Sequence, residues 1–266
     1  MGDWLLNLPI PWMAVVIFSA IYLLAVAIYL TVIRLAVDDR ARAFKALSPG
    51  MLPPLGIIFG LLVGFVAVEI WGDFDRAKNA VTNEASALRA IVLLAEHFPD
   101  EPKSRLRALV NSHIEEAVQK EWPAMAEQRA TLGTLPQGLV QCLDVALDVK
   151  PADESEATVQ REIVDFVAKA AEARRQRIVI SQSSVSSVKW AAILLMALCT
   201  LIAIAMVHSD NRLTCGIALA LFATGIAASV LLIAAYTHPF TGAIAVRSDL
   251  LRQVIATEPA IGASAQ

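Results

Sequence analysis

The chain has 266 residues, 57% of them hydrophobic and 18% charged, with a mean hydropathy of +0.60, where soluble domains hold about 45–50% apolar and about 25% charged residues. A formal charge of −3 excludes a basic nucleic-acid binder. Three cysteines without CxxC or Cys/His spacing exclude a disulfide framework and a zinc site.

Four stretches carry no charged residue: 8–33 over 26 positions, 51–68 over 18, 190–207 over 18 and 213–236 over 24. A bilayer core about 30 Å thick takes roughly 20 apolar residues in a helix. Lipid offers the backbone no hydrogen-bond partner, so each stretch is expected to be a spanning helix.

The first span, about 11–37, follows Pro9 and Pro11, with Trp4 and Trp12 as anchors for the lipid–water boundary. Its 26-residue charge-free run is too long for a typical signal-peptide core, so it is expected to remain as a permanent span. A polar loop ends in Pro49-Gly50, which breaks the helix. The second span, about 51–71, carries Gly56, Gly60 and Gly64 four apart on one face, a ridge that lets another helix approach closely. That ridge fits packing within one subunit, contact between subunits, or a pore-facing stripe. Glu69 and Trp71 close the span at the interface.

Residues 73–187 hold most of the charge. Phe74, Ala77, Val81, Leu88, Ile91 and Ala95 recur at helical spacing. Phe98-Pro99 breaks that helix. Leu106, Leu109, Val110, Ile114, Ala117 and Val118 form a second stripe, which Pro123 ends or kinks. Gly133, Pro136 and Gly138 mark a turn, with a short helix expected over 139–147. Val159, Ile163, Phe166, Val167 and Ala170 give a third stripe, running through the Arg174–Arg177 cluster; that helix can continue through the serines of 181–187. Nothing alternates with period two for long.

The expected fold is therefore all-α: a polytopic membrane protein with four transmembrane helices in two hairpins, 1–72 and 188–237. An extramembrane antiparallel helical bundle, 73–187, is inserted between spans two and three. The second hairpin holds spans of about 188–208 and 213–236. Residues 238–266 form an amphipathic tail (Ile244, Val246, Leu250, Leu251, Val254), expected to lie against the membrane or the bundle.

The short loops carry Arg34, Arg40, Arg42, Lys45 and Arg212; the opposite side has Arg247 and Arg252. Counting Lys and Arg puts those loops in the cytoplasm, and the insert and both termini on the non-cytoplasmic side. Arg174–Arg177, close to the third span, argues the other way.

Chemistry is sparse. His113 and Glu116 have an i, i+3 spacing that can ligate metal in bundles, yet the chain has only four histidines. Neither metal nor cofactor is expected. His208-Ser-Asp210 lacks the geometry of a hydrolytic triad, and no GxSxG, Walker or dinucleotide motif occurs, so no enzyme is expected. The spans contain no mid-membrane ionisable residue, which argues against proton coupling or voltage sensing and leaves a passive pore open.

Further residues carry a likeness. The second span runs into Trp71-Gly-Asp-Phe-Asp-Arg-Ala-Lys-Asn-Ala-Val-Thr-Asn-Glu-Ala-Ser-Ala-Leu88, Glu121-Trp122 follows, and the fourth span ends in Tyr-Thr-His-Pro-Phe-Thr-Gly242. Over roughly residues 10–255 this resembles the bestrophin-like domain family of four-span membrane proteins, named for a distant likeness to bestrophin anion channels. The resemblance implies a multi-pass protein of the bacterial inner membrane, a homo-oligomer in the lipid bilayer with an inorganic anion as permeant partner, and a second span facing the conduction path. It also implies a cytosolic helical domain, opposite to the loop count.

The family-like residues are Trp71, Asn83, Glu84, Glu121, Trp122, His238, Pro239, Phe240 and Gly242. Asn83 and Glu84 fit either a hydrogen bond to a neighbouring helix or a water-facing position. Pro239 stops the last helix, Phe240 suits the lipid boundary, and Gly242 lets the chain turn back. The alternative function is a non-conducting membrane scaffold or sensor whose bundle binds a partner.

Overall fold

The computed structural model describes residues 8–36, 44, 49–133, 136–242 and 244–255. The anchor Trp4, the loop charges Arg40, Arg42 and Lys45, and the tail beyond 255 lie outside them. Every regular element among the described residues is helical. The main helices are α1 (Ile10–Leu35), α2 (Leu52–Leu94), α3 (Asp100–Glu116), α4 (Trp122–Ala126), α5 (Gln137–Asp148), α6 (Glu154–Ser181), α7 (Ser187–Val207), α8 (Arg212–Tyr236) and α9 (Asp249–Ile255). Four are long and apolar enough to cross a membrane: α1, α2 with its short extension to His97, α7 and α8.

The chain divides into two compact units. The first comprises 1–72, 184–238 and 242–244. Here α1 packs against α7 and α8. Met13, Ile17, Ile21, Ala25, Ile28 and Val32 are its buried face, at steps of three or four. They meet an alanine-rich face of α8, where Ala223, Ala227 and Ala234 let backbones approach. Polar groups are satisfied locally, as lipid requires: Thr200 Oγ1 donates to Met196 O at 2.7 Å, and Tyr22 Oη lies 2.7 Å from Thr224 Oγ1. Asn211 caps α8, its side chain accepting from Leu213 and Thr214 N–H at 3.1 Å.

The second unit comprises 73–183, 239–241 and 245–266. In it α5 packs against α3 and α6, and α9 packs on α3. Leu88, Ile91, Leu106, Val110, Ile114, Leu139, Ile163 and Leu251 are buried in one core. The amphipathic tail thus folds into this core through Leu251 and Val254. Asp153 caps α6 by accepting from Glu156 N–H at 2.8 Å, while Glu156 accepts from Ala152 N–H at 2.7 Å.

The second span runs on without a break into the helix of residues 73–94, since α2 is continuous from Leu52. Two local expectations change. α6 stops at Ser181 instead of continuing through the serines, and Ser186 begins α7 by accepting from Lys189 N–H. Gly138 is not a turn residue but lies inside α5.

Candidate functional site

Two places gather the residues singled out in the sequence. The first is the spanning part of α2. Phe59, Val66 and Ile70 turn inward, and Phe59 meets Phe222 with ring centroids 5.9 Å apart. The glycine ridge turns elsewhere. A Cβ built on Gly56, Gly60 or Gly64 would meet nothing within 4 Å. The ridge therefore packs against no other described part of its own chain. Ile57, Leu61, Phe65 and Val68 are exposed beside it. Glu69, near the end of the spanning part of α2, accepts from Lys189 Nζ at 2.5 Å. Trp71 is exposed.

The second place is a buried charge network in the second unit. Glu84, on α2, is fully buried. Arg177, on α6, donates through Nε to its Oε2 at 2.7 Å and through Nη2 to its Oε1 at 3.1 Å. His113, on α3, donates through Nε2 to Oε1 at 3.1 Å. Glu121 accepts from Arg177 Nη2 at 2.8 Å and from Arg174 Nε at 2.7 Å. The network joins two carboxylates, Glu84 and Glu121, to two guanidiniums, Arg174 and Arg177. Burial alone would raise the Glu84 pKa; the Arg177 charge and the hydrogen bonds from His113 and Arg177 outweigh it and hold the group at about 2. Burial also opposes the Arg177 charge, yet Glu84 and Glu121 raise its pKa overall.

An aromatic clasp closes over this network. The Arg177 guanidinium lies 4.7 Å from the Trp122 ring centroid. Phe240 meets Trp122 edge-on at 5.8 Å. Trp122 Nε1 donates to Val246 O at 3.2 Å, and Thr241 Oγ1 to Ala126 O at 2.8 Å. Val246 N–H donates to Pro239 O at 2.8 Å, closing a loop in which Gly242 has φ +84°, a left-handed value that favours glycine. Phe240 is thus buried in protein, not placed at a lipid boundary, and Pro239 is buried with it.

A π turn, Ala117–Glu121, sets the register of the network. In an ideal α-helix His113 and Glu121 would point about 80° apart; one extra residue per turn brings them within about 20°. Pro123 explains the turn, because its ring clashes with the carbonyl four residues back and it has no N–H to donate. Trp122 N–H accordingly reaches Ala117 O, five residues earlier. Gly138 presses on the same spot: a Cβ there would lie 2.9 Å from His113 Cβ and 3.1 Å from Leu109 O.

The structure thus brings together Glu84, Glu121, Trp122, Pro239 and Phe240. It does not bring in Asn83, which is exposed and lines a groove of about 560 Å³ with Phe166 and Gln176. His113 engages Glu84, while Glu116 pairs with Lys120 at 3.3 Å. Sequence reasoning missed Arg174 and Arg177, reading them as a positive cluster beside a span. The signal was present: Ile163, Val167, Ala170, Arg174, Arg177 and Ser181 step by four and three along one buried face. A guanidinium on such a face requires a buried acid.

A family model for the bestrophin-like domain matches residues 19–251. No curated protein matches the sequence. Among solved structures, a bacterial bestrophin homologue from Klebsiella pneumoniae carrying a point mutation is similar, with a TM-score of 0.70 and 13% identity, over 91% of this chain and 98% of that one. A second, a point-mutated membrane protein, gives a TM-score of 0.67 at 12% identity, over 90% of this chain and 96% of that one. At such identities the likeness is one of fold.

Proposed function

The chain belongs to the bestrophin-like domain family, and from that premise we propose that it is one subunit of an oligomeric membrane channel for an inorganic anion. Its four spans form two hairpins, and the second unit is the extramembrane bundle inserted between them. The uncovered face of α2 meets neighbouring subunits and the conduction path.

One observation carries this reading: among the described residues of its own chain, the Gly56, Gly60 and Gly64 ridge has no packing partner. Three glycines weaken a helix by roughly 0.5–1 kcal/mol each relative to alanine. Inside a membrane that cost is offset when another helix packs closely against the ridge. α2 is also the least covered candidate span, with 22% of its apolar window buried against 28% to 44% for the others. Ile57, Leu61, Phe65 and Val68 beside the ridge are apolar, so a path along this helix is gated by an apolar constriction.

The test compares chloride flux through liposomes containing the wild type and the Gly60→Leu variant. The reading expects flux from the first and its loss in the second. A clean oligomer that passes no chloride would favour the non-conducting scaffold.

A further inference from the structure

A groove of about 450 Å³ in the second unit is lined by Asp73, Arg76, Arg175, Val179, Ile180 and Ser183, among others. We propose that it holds the phosphodiester headgroup of a membrane phospholipid.

Connectivity gives the first reason. The chain passes between its two units at 72/73 and again at 183/184. Asp73 and Ser183 are the first and last residues of the longest segment of the second unit, whose other segments are 239–241 and 245–266, and both line the groove. Along α2, Asp73 lies about 6 Å and Arg76 about 10 Å beyond Glu69 at 1.5 Å per residue. The headgroup layer is about 5–8 Å deep on each side of the hydrocarbon core. A long arginine side chain spans the remaining distance.

The lining chemistry gives the second reason. Two guanidiniums share the groove, each paired only within its own helix turn. Arg76 pairs with Asp73, and Arg175 with Glu172 at 2.6 Å. The arginine side chains are 67% and 54% exposed. Pairs this exposed contribute little and exchange readily. Arg175 donates to Glu172 through both Nε and Nη2, at 2.7 and 2.6 Å, and keeps Nη1 for a phosphate oxygen; Arg76 donates to Asp73 through Nη2 and keeps Nε and Nη1. Asp73 stays in the lining, and its carboxylate favours a singly charged phosphodiester over a free phosphate dianion.

Val179 supplies the third reason. It is an exposed apolar residue, 47% accessible, on a charged helix face and next to Ile180. The glycerol and first methylenes of a lipid would cover it.

Full-length protein in a phosphate-free detergent provides the test, through its thermal unfolding midpoint. Phosphatidylglycerol is expected to raise the midpoint, whereas diacylglycerol with the same chains and sodium phosphate are expected not to. The Arg76→Gln/Arg175→Gln double variant keeps the lipid-free midpoint and loses the shift. The Arg76→Lys/Arg175→Lys variant, which keeps the charge but not the guanidinium, shows a smaller shift. Retention of the full shift in the glutamine variant, or an equal shift with diacylglycerol, would overturn the site. A shift reproduced by sodium phosphate alone would overturn the lipid assignment.

Discussion

Arg177 grips Glu84 with two prongs across 93 residues of sequence, and neither side chain is exposed to solvent. The pair ties α6 to α2, and Glu121 extends the tie to the π turn. Removing one partner strands the other charge in a dry interior, which costs about 3–5 kcal/mol. Glu84→Gln and Arg177→Met are therefore each expected to lower the unfolding midpoint sharply in detergent. Substituting both with well-packed apolar residues is expected to cost less than the sum. Additive losses would show that the pair acts through separate contacts.

The depressed Glu84 pKa makes a signed prediction. In the folded protein it is held at about 2, below the ordinary glutamate value of 4.5. A carboxylate held down in this way contributes stability that is complete above about 4.5 and lost as pH falls toward 2. Acid titration followed by circular dichroism is expected to show stability falling across that window. Glu84→Gln should lack this component; an unchanged acid transition in that variant would assign the loss to other groups.

Much of this was legible in the sequence, for reasons that differ between regions. The four spans were readable because lipid demands long apolar helices, whatever the tertiary structure. The network was half readable. Glu84 fills the gap between Val81 and Leu88 in the α2 stripe, and His113 falls between Val110 and Ala117 in the α3 stripe. Pairing those polar residues with Arg177 needs the third dimension, since a stripe shows that a residue is buried and not what it meets. The π turn was unreadable beyond Pro123, because one inserted residue shifts the phase without changing composition.

Gly138→Ala tests the close approach of α5 to α3. The added methyl would meet His113 Cβ at 2.9 Å and a backbone oxygen at 3.1 Å, so the helices must separate. Overpacking of this kind costs typically about 1–3 kcal/mol. A thermal midpoint equal to the wild type would show that α5 yields freely.

Trp122→Phe removes the N–H that donates to Val246 O and weakens the stacking on Arg177. A hydrogen bond is worth about 0.5–1.5 kcal/mol net. Hydrogen exchange should quicken in residues 244–255 before it does so in α3. Equal protection in both proteins would mean that the clasp does not hold this segment.

Cys142 is fully buried, and burial pushes its thiol up to about 12. It should resist thiol reagents at neutral pH until the second unit unfolds. Sidedness is better read from Ala152→Cys, at an exposed position. The loop charge count expects an impermeant maleimide to label it in intact cells. Labelling only after permeabilisation would put the second unit in the cytoplasm, as the family resemblance implies.

The proposed channel is tested most directly by chloride efflux from liposomes containing the purified oligomer, against protein-free vesicles. The account predicts rapid efflux from wild-type vesicles and none beyond background from those holding folded Gly60→Leu oligomer. Vesicles that contain folded wild-type oligomer and still retain their chloride would contradict it.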